Sequence, residues 1–134
     1  MSISKTTTPD APAGSSDNPI PVTAGQEFTF SVMINKSKAD GGGPFDLTGW
    51  TGRGEVRRLV EEVGTPIATF TVVNSATTGK ATVSLTAPQT LAIPKDRYVF
   101  DVEFINDIDP NRVIPGTDGI QHMCVNLGVT KIDP

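Results

Sequence analysis

The stretch QEFTFSVMIN, residues 26–35, decides the fold. Phe28, Phe30, Val32 and Ile34 alternate with Thr29, Ser31 and Met33, so an extended chain here has an apolar face and a mostly polar one. Period-two alternation of this kind belongs to a strand that buries one side. Residues 97–106 repeat the pattern, with Tyr98, Phe100, Val102 and Phe104 inward and Asp101 and Glu103 toward water.

Working outward, three successive glycines in residues 38–46 cost too much backbone entropy for a regular element and predict a loop. Trp50 opens a second run, to about residue 60, in which Arg53, Glu55 and Arg57 share the face opposite Gly52, Gly54 and Val56. The small residues there leave room for another strand to approach. Residues 67–73 are rich in β-branched side chains, 74–79 are turn-like, and 80–86 return with Ala81, Val83 and Leu85 inward, which predicts a hairpin. Residues 87–93 depart from period two; Pro88 suits a first helical position, and Leu91 is expected beneath one short turn that crosses between sheets without making a true helix. A loop at 107–111 leads to a short strand at 112–114, and the last strand carries Met123, Val125, Leu127 and Val129 on one face. About seven short strands with no helix-period segment predict an all-β protein, an antiparallel β-sandwich.

The chain has 134 residues, enough for one domain of ordinary size and too few for two separate cores. Residues 1–22 are dominated by Ser, Thr, Pro, Ala, Gly and Asp and cannot bury enough apolar area to fold alone, so they are expected to form an extended N-terminal arm beside a domain at 23–134. Ile3, Pro9, Pro12, Pro19, Ile20 and Pro21 are the arm residues expected to lie along a partner surface, since proline favours extended geometry. No apolar run approaches the roughly 18 residues that span a bilayer, and the first residues lack a signal-peptide core, so a soluble product made in a cytoplasm and free of membrane partners is expected. A net charge of −4 disfavours nucleic acid as a partner. One cysteine, Cys124, excludes an internal disulfide and a multi-cysteine zinc site.

Groups able to trade protons or attack a substrate are scarce. His122, the only histidine, shares a strand face with Cys124, a spacing that suits two metal ligands or a thiol and its base. No second histidine or cysteine completes a zinc site, and Met123 between them belongs to an apolar alternation, so the pair is expected to be structural. Asp107, Asp109 and Asn111, with Asp118 beyond them, resemble the oxygen spacing of a calcium loop, but Arg112 stands where glycine is required and no helices flank the loop. Turn-stabilising Asx residues account for the same letters, with a cation site as the alternative. Asp101 with Glu103, and Glu61 with Glu62, are expected to be solvated surface charge, the first pair salted to Arg53 and Arg57 across neighbouring strands. Phosphate-loop and nucleophile-elbow motifs are absent, and one Trp and one Tyr make no stacking platform. The expectation is no enzyme, no cofactor, no catalytic residue and no metal.

Three segments in order carry a resemblance: residues 23–26 (TAGQ) leading into the Phe28 strand, residues 45–57 (FDLTGWTGRGEVR), and residues 91–103 (LAIPKDRYVFDVE). Together they resemble a module of bacteriophage tail-associated and accessory proteins, including the N-terminal domain of baseplate upper proteins. The resemblance covers about residues 23–130 and implies an immunoglobulin-like sandwich in a virion structural protein, with Phe28, Phe30, Trp50, Tyr98, Phe100 and Phe104 in its core. Tyr98, at the start of its strand, is then placed to form a tyrosine corner. The implied role is a homo-oligomeric tail, baseplate or neck adapter, made in the host bacterial cytoplasm and docked on other virion proteins by its sandwich and arm. A capsid decoration protein clamping major capsid subunits is the alternative. A carbohydrate-binding host-attachment module is a further one, and it requires an exposed Trp50.

Overall fold

In the computed structural model, residues 3–7, 14–15, 17–36, 38–58, 66–75, 78–117 and 119–127 are described, the first group by its backbone alone. In chain order the elements are β1 (Ile3–Thr7), β2 (Ile20–Thr23), β3 (Phe28–Lys36), β4 (Trp50–Arg57), β5 (Ala68–Thr69), β6 (Thr71–Ser75), β7 (Lys80–Leu85), α1 (Ala87–Leu91), β8 (Asp96–Asn106), β9 (Val113–Pro115) and β10 (Gln121–Asn126). A 3₁₀ turn over Lys38–Asp40 starts the glycine loop, where Gly41, Gly42 and Gly43 all take positive φ. The strands form two sheets, ordered β1-β3-β7-β6 and β2-β10-β8-β4-β5, with β9 also on β8. All neighbours are antiparallel except β2, which runs parallel to β10. The protein is an all-β sandwich.

Alternation builds the core. Phe30, Val32 and Ile34 of β3 face Val83 and Leu85 of β7 within one sheet, and Tyr98, Phe100, Val102 and Phe104 of β8 supply the other; all are buried. Phe28 is half-buried at the edge of this cluster, its ring 5.6 Å from Phe30 and 6.4 Å from Phe100. Tyr98 makes the tyrosine corner: its hydroxyl donates to the Pro94 carbonyl at 2.6 Å, four residues back. Burial pushes the Tyr98 phenol above its usual range, and the Arg58 guanidinium over the ring opposes this.

Several elements differ from the expectation. Residues 67–73 are not one strand: β5 pairs with β4, while β6 pairs with β7 in the other sheet. The chain crosses at Phe70, whose N–H donates to the Gly54 carbonyl at 2.9 Å and whose ring fills the space among Phe28, Phe30 and Phe100. Ala68, Phe70, Val72 and Asn74 all turn inward, so the alternation passes unbroken through a change of sheet. The glycines of β4 admit side chains of the facing sheet: a Cβ on Gly52 would collide with Val72 of β6 and lie 2.8 Å from Phe104.

Residues 87–91 form one turn of true α-helix between the sheets. Thr86 caps it, accepting from the Gln89 N–H, while the Gln89 side chain accepts from the Thr86 N–H at 2.8 Å, a reciprocal capping box. Pro88 takes the second helical position. Leu91 is not tucked beneath the turn but 64% exposed, and Thr90 is the buried residue. The cap sets the helical phase, and that phase turns Thr90 inward. β10 ends at Asn126, which leaves Leu127 67% exposed; Val129 lies outside the described residues.

The leader belongs to both sheets. β1 pairs with β3, and β2 pairs with β10, with Val22 and Ala24 buried in the core. The expected arm boundary after residue 22 therefore falls inside β2.

Candidate functional site

The outward residues of β4 and β8 line a polar concavity. Their register sets Arg53 opposite Glu103, Glu55 opposite Asp101 and Arg57 opposite Val99. Inward neighbours are committed to the core, so alternation forces these side chains outward onto one face. A depression of about 320 Å³ opens between them, lined also by Val99 and Ile120.

The Arg53 guanidinium donates through Nε and Nη2 to Glu103 Oε2, both at 2.6 Å. This cross-strand pair is the expected one. Arg57 instead pairs within its own strand, donating through Nη2 to Glu55 Oε1 at 2.7 Å. Asp101 lies between the two pairs. Partial burial, followed by the charges of Glu103 and Glu55, pushes its carboxyl above the usual value, and Arg53 opposes the shift. Directly opposed side chains on antiparallel strands have Cβ atoms about 4.5–5.5 Å apart and point the same way, so Asp101 and Glu55 stand side by side on this face.

His122 and Cys124 share the outward face of β10, as their spacing predicts, with Met123 buried between them. The His122 backbone N–H donates to the Gly14 carbonyl at 3.2 Å, and the Cys124 thiol contacts Asn126 Oδ1 at 3.6 Å. Among the described residues no three His, Cys, Asp or Glu side chains gather as metal ligands. In the 107–111 loop, Asn106 Oδ1 accepts from the N–H groups of Ile108 and Asp109, and Asp109 Oδ1 accepts from Asn111 N–H. Asp107 Oδ1 accepts from the Thr51 hydroxyl at 2.5 Å. These side chains brace the turn itself. Asp118, Glu61 and Glu62 lie outside the described residues.

Trp50 is only 8% exposed; Phe45 packs edge-on at 5.8 Å and the Arg112 guanidinium lies 5.5 Å from the indole centroid. The carbohydrate alternative requires an exposed Trp50, and Trp50 is buried. Among the arm residues, Ile20 and Pro21 are in β2 against β10, Ile3 is in β1, Pro19 is half-buried just before β2, and Pro9 and Pro12 lie outside the described residues.

Two framework residues escaped the sequence reading. Thr90 clips the β2–β3 turn: its hydroxyl donates to the Gln26 carbonyl at 2.8 Å and accepts from Gly25 N–H at 3.0 Å. Gln121 holds the leader, its Oε1 accepting from Gly14 N–H at 2.9 Å. The Thr86-x-x-Gln89 spacing was the readable signal for the first; nothing local marks the second. Among the described residues no helix is long and apolar enough to cross a membrane. Comparison of the sequence with known protein families and with curated proteins finds no match to either.

Proposed function

We propose that this chain is a non-enzymatic structural component of a bacteriophage virion, a homo-oligomeric tail, baseplate or neck adapter built on an immunoglobulin-like sandwich. One observation carries the reading: the three segments that bear the resemblance meet in space. The TAGQ turn is clipped by Thr90, the residue just before the third segment, and the second and third segments pair along β4 and β8. They work as one frame. The strand order supports the same reading, since it corresponds to A-B-E-D against G-F-C-C′ with the first strand divided between the sheets.

Docking on a symmetric particle needs a rigid body with exposed polar faces, and multiplicity then supplies avidity. The sandwich provides that body, and the leader strands stiffen both of its sheets. Virions of the encoding phage, purified and probed with antibody to the recombinant chain, test the proposal. The expected result is gold label at the tail or neck and on the order of a dozen copies per particle by densitometry. Hundreds of copies over the shell would assign it to capsid decoration instead, and absence from particles would refute a virion role.

A further inference from the structure

We propose that the outer edge of β6 is an interface between two copies of this chain, which pair antiparallel about a two-fold axis at Val73. The sheet edges differ in how they are defended against such pairing. Sheets blunt their edges with proline, lysine or very short strands. Among the described strands, β2 carries Pro21, β5 has two residues, β9 has three and ends on Pro115, and β1 has Lys5 at its centre. The remaining edge, β6, has none of these devices. It is the five-residue run TVVNS, and no charged residue occurs from Pro66 to Ser75.

A two-fold axis sets a strand against itself, so any charge near the axis would meet its own kind. An uncharged strand is therefore the edge suited to a second copy. Centred on Val73, the pairing sets Thr71 against Ser75 and Val72 against Asn74 of the partner copy. Val73, 61% exposed, then covers its own counterpart. The strand is held ready: Val72 packs into the space left by Gly52, and the Asn74 amide donates to the Trp50 carbonyl at 2.7 Å. The adjoining outer surface is uncharged at Thr82 and Ser84 of β7 and at Thr29 and Ser31 of β3, with Lys80 at its end, opposite Ser75 and away from the axis. Five paired residues extend about 17 Å and bury less than the roughly 1,200 Å² of a standard stable interface, so the contact is weak in solution.

Sedimentation velocity of the full chain tests this from about 10 μM to 1 mM, the range in which such a dimer dissociates. The wild type is expected to dimerise reversibly. Val73→Lys and Val73→Asp should each raise the dissociation constant at least about tenfold with little change in melting temperature, and mixing the two should restore a heterodimer. Thr82→Lys, one strand inward on the same face, should leave dimerisation intact. A wild type that stays monomeric at 1 mM, a Val73→Lys variant that dimerises normally, or loss of the dimer in Thr82→Lys would each overturn the proposal. The measurement uses the chain alone, so it succeeds or fails separately from the virion role.

Discussion

Thr90→Val isolates a polar clip within an otherwise apolar frame. Valine keeps the shape of threonine and removes the hydroxyl, so the Gln26 carbonyl and the Gly25 N–H both lose their partner. Gly25 has φ +87°, a turn that few other residues adopt, and the Gln26 N–H closes it on the Thr23 carbonyl at 3.1 Å. Each lost hydrogen bond is worth about 0.5–1.5 kcal/mol net, giving a destabilisation of about 1–3 kcal/mol. Thr90→Ser is the control: it keeps the hydroxyl and gives up one buried methyl, for about 1 kcal/mol. Urea unfolding followed by the fluorescence of Trp50, the sole tryptophan, measures both. With a slope of about 1–3 kcal/mol per molar urea, the valine variant should unfold roughly 1 M earlier than wild type at unchanged slope. A valine variant as stable as wild type, or more stable than the serine variant, would show that the hydroxyl does not hold this turn.

Gly52→Ala drives a methyl into Val72 and Phe104 and should cost about 1–3 kcal/mol, with Val72→Ala restoring part of the loss in a double-mutant cycle of urea midpoints. Tyr98 has its folded pKa raised above the ordinary value of about 10, so the stability it contributes is complete below that value and is lost as pH rises through the folded one. Tyr98→Phe should cost about 0.5–1.5 kcal/mol at pH 7 and flatten the alkaline fall in melting temperature. Asp101 also has its folded pKa raised, so stability declines as pH climbs from the ordinary carboxylate value through the raised one. Asp101→Asn should therefore raise the melting temperature at pH 7 and lose its advantage below the ordinary value.

Legibility followed the reach of each signal. The inward faces of β3, β7 and β8 were readable because burial of a strand face imposes period two on the residues themselves. The tyrosine corner was readable because it closes over four residues. The crossing at Phe70 was not, because a chain that changes sheets at the rim of a sandwich keeps its inward side and so keeps its alternation. Leu91 looked like the core residue of α1 on hydrophobicity, yet the capping box set a phase that faces Thr90 inward. Of the outward charges, the Arg53–Glu103 pair was foreseeable from the strands, whereas Arg57 turned to Glu55, because its cross-strand neighbour is Val99.

The amino-acid sequence alone determined that the chain forms a β-sandwich, which faces of its long strands are buried, and where the glycine loop and tight turns fall. All of these arise from side chains acting on their near neighbours. Only the tertiary structure decided which strands pair beyond the β6–β7 hairpin, that the leader is shared between β3 and β10, and that Glu55 stands opposite Asp101. Strand pairing is made by backbone N–H and C=O groups that are nearly the same at every position. They carry no address until the whole core has closed around Phe30, Phe70 and Phe100.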